Sequence, residues 1–123
     1  MQISLAQLTQ AIRLAQAQRL WKPGRAEWHL HKRKSRNHLP PEATLADYEQ
    51  IIQSILDDNT AKVYIYQESD EPYIAVSSLN QEQLWLVIFD RNGILETAFV
   101  VKNPTSYLGK PEFTFVDMLS NLL

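Results

Sequence analysis

The sequence predicts an α+β fold: two N-terminal helices packed on an antiparallel sheet of about four strands. Two apolar stripes with helical spacing lie before residue 58. Beyond residue 62 the apolar runs become short and rich in β-branched and aromatic residues. The third observation is Asn92-Gly93 between two such runs, a strong signal for a tight hairpin. At 123 residues the chain is expected to form one domain, with a basic helical part over 1–58, the sheet over 62–102 and a tail over 103–123.

The first helix is expected over 4–20. Leu5, Leu8, Ala11, Ile12 and Ala15 fall on one face, and Gln and Arg fill the other. Ser4 with Gln7 three residues later fits a capping box, and Pro23-Gly24 marks the stop. Arg19 and Lys22 near the end suit the helix dipole. Residues 27–31 read as a short strand or turn, followed by an irregular loop to Pro40-Pro41. Leu30 and Leu39 are the only aliphatic residues there, and they show no period. The second helix is expected over 42–58, on the stripe Leu45, Tyr48, Ile51, Ile52, Ile55 and Leu56. Thr44 with Asp47 makes a second capping box, with Pro41 at the first helical position as the alternative start. Asp57 and Asp58 oppose the dipole at the far end, and Asn59 is expected as a left-handed cap.

Strands follow at 63–66, 73–76, 84–89 and 94–101. Leu84 to Phe89 is apolar on both faces and should be a central strand. Asn103-Pro104 ends the sheet region. Phe115, Met118, Leu119 and Leu122 suggest a last short helix within 113–123.

Composition narrows the function classes. No apolar run approaches the ~20 residues that cross a bilayer. The N-terminus also lacks the basic start and apolar block of a secretory signal. Without cysteine there is no disulfide framework, zinc–thiolate site or thiol nucleophile, and a cytoplasmic home is expected. The net charge of −2 hides a division: residues 1–38 sum to +7 and residues 39–123 to −9. Such asymmetry points to a polyanionic partner at the basic end, although two halves attracting each other in a dipolar fold account for it equally.

The stretch from Trp28 to His38 holds all three histidines, His29, His31 and His38, and four cations, Lys32, Arg33, Lys34 and Arg36. It contains no acid. Imidazoles exchange protons near neutral pH, whereas guanidinium and ammonium groups stay charged. Together they can hold a phosphate and move a proton beside it, which is what cleaving RNA without a metal requires. That reaction needs a base for the 2′-hydroxyl, an acid for the departing 5′-oxygen and cations for the charge on phosphorus. His29 or His31 is the candidate for one proton carrier and His38 for the other. His38, expected near the start of the 42–58 helix, should have its pKa lowered by that positive end and so suit the base. Lys32, Arg33, Lys34 and Arg36 are candidates for the phosphate, arginine being favoured for its fork. Thr97 is a candidate to hydrogen-bond a phosphate or position a histidine, and Tyr107 to orient or stack on a base. Each has a plainer reading as a solvated histidine, a strand-forming threonine or a half-buried tyrosine, and Trp85, Phe89 and Phe99 read as core. A zinc site on His29, His31 and His38 is the competing chemistry, disfavoured by the cations around them.

The order of elements resembles the barnase–EndoU–colicin–RelE superfamily of small metal-independent ribonucleases, in particular its phage- and toxin-associated members. In these, a His-Ile-like pair and an Arg-His-Pro-like element precede a helix and a four-stranded antiparallel sheet. His29-Leu30 echoes the first, and Arg36-Asn37-His38-Leu39-Pro40 is a looser echo of the second, with Asn37 and Leu39 inserted. Thr97 in Glu96-Thr97-Ala98-Phe99 lies where such proteins often place a hydroxyl on the late strand. The likeness spans roughly residues 28–108. It implies a toxin-like endoribonuclease needing no cofactor, with RNA as substrate and an inhibitor or partner protein as a further candidate partner. The catalytic set would be His29, His31, His38, Arg36 and Thr97, with Lys32, Arg33, Lys34 and Tyr107 binding substrate. The alternative is a non-catalytic domain that binds nucleic acid or protein.

Overall fold

The computed structural model describes residues 3–67 and 70–123. Helices α1 (Leu5–Ala17), α2 (Arg25–Ser35) and α3 (Leu45–Leu56) precede strands β1 (Lys62–Gln67), β2 (Pro72–Asn80), β3 (Gln83–Phe89) and β4 (Leu95–Val100). A short helix α4 (Pro104–Leu108), a strand β5 (Phe113–Met118) and a single turn α5 (Leu119–Leu122) complete the chain. The sheet runs β4-β3-β2-β1-β5 and every pair is antiparallel. The class is α+β as the pattern predicts, with a third N-terminal helix and a fifth strand. Among the described residues no helix is long and apolar enough to cross a membrane.

Both capping boxes form. Ser4 Oγ accepts from Gln7 N–H while Gln7 Oε1 accepts from Ser4 N–H, and Thr44 and Asp47 do the same for α3. At the end of α1, Arg19 turns back and donates to the carbonyls of Ala15 at 2.5 Å and Gln18 at 2.8 Å. Asn59 is not a left-handed cap: α3 ends on Asp57 in a right-handed conformation. Asp58 ties the following turn instead, accepting from Thr60 and Ser78.

Two expectations are corrected. Residues 25–35 form a helix rather than a strand or turn and a loop. Their inward face is His29, Leu30 and Arg33, at the helical spacing of one and four. Two of those three are polar, so no aliphatic period marks the helix, although Arg, Ala, Glu, Leu and Lys are good helix formers. Residues 113–118 form a strand rather than a helix, paired with β1 from Tyr66↔Phe113 to Lys62↔Met118. Alternation of Phe113, Phe115 and their neighbours suits a pleated edge, and helix is confined to 119–122.

The sheet is buried on both faces. On the inner face, Leu8 and Ile12 of α1 and Tyr48, Ile52 and Ile55 of α3 pack on Val63, Ile74, Val76, Trp85 and Phe89. On the outer face a second layer gathers Tyr64, Ala75, Leu86, Ile88, Val101 and Phe113. β4 and β5 are opposite edges, so the chain between them must cross this outer face. It carries α4, with Tyr107 and Leu108 packed on that layer. Burial on both sides explains the unbroken apolar run of β3, which lies inside the sheet with β2 in the middle.

Gly93 closes the β3–β4 hairpin at φ +77°, and Asp90 accepts from Asn92 N–H and Ile94 N–H beneath it. A Cβ there would lie 2.7 Å from Leu14 Cβ and 2.8 Å from Ala15 N. Gly93→Ala is therefore expected to lower the free energy of unfolding by about 2–4 kcal/mol, from the left-handed backbone and the collision with α1 together. Urea titration of the two proteins measures it, and a loss below about 0.5 kcal/mol would show that hairpin and helix separate freely.

Candidate functional site

The site is built along the outer edge of β4. Backbone groups on an edge strand that point away from the sheet need partners when they are buried. Leu95 finds its partners in the segment after α1: its N–H donates to Leu20 O at 2.7 Å, and Lys22 N–H donates to Leu95 O at 3.1 Å. At Ala98 the Tyr48 hydroxyl donates to the carbonyl at 2.5 Å and accepts from the N–H at 3.2 Å. Burial pushes the Tyr48 phenol up, so it keeps its proton. At Val100 the N–H donates to His38 Nδ1 at 3.4 Å. α2 packs against this edge and turns His29 and Arg33 towards it.

His29 is 7% exposed, near-parallel to Trp21 at 6.2 Å and edge-on to Trp28 at 4.8 Å. Its Nδ1 lies 3.2 Å from Thr97 Oγ1, while its Nε2 is buried with no partner. Burial first, then Arg33, Arg25 and Lys32, hold its pKa down at about 4, opposed by the Glu96 carbonyl. The ring is therefore neutral at pH 7. An orphaned N–H is rarer in buried sites than an orphaned lone pair, so we assign the proton to Nδ1, donating to Thr97. The Thr97 O–H is then the donor to the Tyr48 phenol oxygen.

His38 Nδ1 accepts from Arg33 Nη1 at 3.1 Å as well as from Val100 N–H, which places its proton on Nε2. Burial first, then Arg33, Lys102 and Arg36, hold its pKa at about 4. The direction is the one expected from the sequence, but the cause is different. Thr44 and Asp47 close the start of α3, and the imidazole stands edge-on to Trp85 at 6.2 Å. Arg33 is 5% exposed, with its guanidinium carbon 5.6 Å from the centre of the Phe99 ring. Its Nε has no hydrogen-bond partner, and no carboxylate is in ion-pair range of it among the described residues.

These groups open onto a cleft of about 420 Å³. Arg33, Arg36 and His38 line one wall, and Lys102, Asn103, Ser106, Tyr107 and Lys110 of the crossover line the other. Four cations share this space with no acid among the described residues that line it. A recess of about 330 Å³ adjoins it through the shared Phe99 and Tyr107, and Thr97 lies on its wall. A larger groove of about 530 Å³ lies across α4, but its one charged group is Lys62 and it holds no histidine or arginine. The chemistry is in the smaller cleft.

Of the residues singled out in the sequence, Arg33, Arg36, His38 and Tyr107 line this cleft, Thr97 and Tyr107 line the recess, and His29 lines neither but is buried behind Thr97. His31, Lys32 and Lys34 also line neither. His31 is exposed on the far side of α2, because two residues along a helix turn the side chain by nearly half a circle. His29 and His31 therefore do not converge as they would on a strand, and no three His, Cys, Asp or Glu among the described residues are grouped to hold a metal. Lys32 Nζ rests over the Trp28 ring at 4.7 Å. The sequence reading missed Lys102 and Lys110. The usable signal was the stretch 102–110, which carries two lysines around Tyr107 and no acid.

No family model, no curated protein and no solved structure matches this chain.

Proposed function

We propose that this protein is a toxin-like, metal-independent endoribonuclease that seats the phosphodiester of single-stranded RNA in the cleft. One observation carries the reading: His38 with Arg33 and Arg36 arrive from a loop and a helix at one wall of a cleft that Lys102 and Lys110 face from the other, with His29 buried behind it against Thr97. The forked guanidiniums suit paired phosphate oxygens, and the two lysines act as point charges on the opposite wall. A phosphate between Arg33 and Arg36 competes with His38 for the Arg33 N–H groups. His38 Nδ1 then keeps only the long 3.4 Å contact from Val100 N–H and is a neutral base, fit to take the 2′-hydroxyl proton as the 2′-oxygen attacks phosphorus. On this reading the protein works in the cytoplasm, and an inhibitor protein would cover the cleft.

A second reading, binding without cleavage, is favoured by a specific feature. His29, buried, and His38, half-buried, are both neutral at pH 7, so neither offers the protonated imidazole that the departing 5′-oxygen would use. Labelled single-stranded RNA incubated with the protein in EDTA, between about pH 5 and 8, separates the two. Cleavage lost in both Arg36→Ala and His38→Ala supports the enzyme. Retention without cleavage, weakening with salt at a slope of about −0.7 per phosphate, supports the binding domain. RNA neither bound nor cut sinks both.

A further inference from the structure

We infer that the groove between α4 and the outer face of the sheet binds a small aliphatic carboxylate. Lys62, Tyr64 and Ser77 hold its headgroup, and its chain lies under Pro104 and Leu108. The site does not depend on RNA reaching the cleft.

The short helix α4 is a partition with two sides. Asn103, Ser106, Tyr107 and Lys110 line the cleft, whereas Pro104, Thr105, Leu108 and Gly109 line a separate groove of about 530 Å³. That volume is well inside the about 300–1,000 Å³ that small-molecule sites span. Across from α4 the groove is lined by Leu79 and Leu84, cross-strand partners on β2 and β3. Leu79 is 67% exposed, so an aliphatic chain laid over it removes water from a leucine that the fold leaves bare.

The donors of the groove share one face of the sheet. Side chains two apart on a strand lie on the same face, as do those directly opposite across a pair. Lys62 and Tyr64 are two apart on β1, and Ser77 of β2 is directly opposite Lys62. Ser77 is 3% exposed and hydrogen-bonds Tyr64, whose pKa burial pushes up, so the phenol keeps its proton. Two hydroxyls bonded to each other use one hydrogen and leave the other to donate. Lys62 has no carboxylate in ion-pair range among the described residues, and none of those that line the groove is an acid. The nearby hydroxyls of Thr60 and Ser78 already donate to Asp58.

One ammonium and one spare hydroxyl hydrogen match the single charge and two oxygens of a carboxylate. A phosphate ester offers more acceptors, and the four cations of the cleft serve it better. From Lys62 on β1 to Leu84 on β3 the distance is two strand spacings, about 10 Å. A zigzag chain of carbon–carbon bonds, each about 1.5 Å, covers that span in about eight carbons. Octanoate is therefore the probe.

Calorimetric titration with octanoate, 1-octanol and acetate tests this. Octanoate is expected to bind about tenfold or more tighter than 1-octanol, which has the chain without the charge. Acetate, which has the charge without the chain, should bind too weakly to measure. Between butanoate and octanoate each added carbon should tighten binding about three- to fourfold. Lys62→Met, at an exposed position, is expected to bring octanoate to the affinity of 1-octanol with little change in melting. Arg36→Ala, which alters the cleft and not the groove, should leave octanoate binding as it is. Octanoate that does not bind, that binds no tighter than 1-octanol, or that keeps its advantage in Lys62→Met overturns the site. Loss of binding in Arg36→Ala but not in Lys62→Met moves the carboxylate to the cleft and overturns it equally. Self-association of the protein that octanoate does not disperse gives the groove to a second copy of the chain, which also overturns it.

Discussion

Arg33→Met is expected to make the protein more stable and much less able to hold RNA. Arg33 is buried with its Nε unsatisfied, and its Nη1 donates to a neutral imidazole rather than to a carboxylate. Burial accordingly pulls its pKa down. Replacing such a charge with an apolar chain of similar length removes a desolvation penalty, and comparable changes have stabilised proteins by about 1–4 kcal/mol. For a domain of this size that is a rise of several degrees in Tm, about 3–5 °C per kcal/mol. The same change removes a fork from the phosphate cleft, and a charged hydrogen bond of this kind is worth about 10- to 100-fold in affinity. Melting curves and fluorescence anisotropy with labelled RNA read the two effects separately. A lower Tm with RNA affinity unchanged would make Arg33 a structural pin and remove it from the site.

The second large effect is a loss of stability in mild acid. His29 and His38 titrate at about 4 in the folded chain, against 6.5 for an ordinary imidazole. Between those values the unfolded chain binds more protons than the folded one, so stability falls as pH falls through that window. It is fully present above about pH 6.5 and lost progressively towards pH 4. For His29 the difference corresponds to on the order of 3 kcal/mol, an upper figure because water reaches part of its surroundings. Asp58, whose carboxyl the Ser78 hydroxyl holds below its ordinary 3.8, releases its contribution only at still lower pH. The histidine window can therefore be resolved on its own. Urea titrations at steps between about pH 7 and 4.5 should show the decline, with a shallower slope in His29→Gln. A flat profile over that range would mean that both imidazoles are already charged or wet.

What the sequence made legible was wherever one residue type carries one meaning. Ser4 with Gln7, Thr44 with Asp47, and Asn92-Gly93 each specify a local geometry, and each appears at the place expected. The four strands from β1 to β4 were legible because both faces of the sheet are covered and their runs are strongly apolar. α2 was not, since the side that faces the protein is made of an imidazole, an arginine and a single leucine. A helix buried through polar groups leaves no hydrophobic period. β5 was misread because Phe115, Met118, Leu119 and Leu122 happen to fall at helical spacing, while its long-range pairing with β1 has no local signature. The same holds for the site. The basic half, Arg33 to His38, was visible as a run, but the half on the crossover comes from residues about seventy positions away. Its position follows from the sheet order, which no short motif encodes.

The hydrogen bonds along β4 have one more consequence. An open strand edge is a template on which another chain can build, and proteins commonly blunt it with charge, proline or a covering segment. Here the template is stopped by side chains: Tyr48 fills Ala98, His38 fills Val100, and the chain at 20–22 fills Leu95. Two of these three stoppers do not titrate near neutrality. His38 does so in mild acid, and a protonated Nδ1 can no longer accept from Val100. Acid therefore frees the end of an apolar, β-prone strand at the moment when the fold around it weakens. Acid thus couples the loss of stability to the uncovering of a strand end, the geometry from which edge-to-edge addition of a second copy starts.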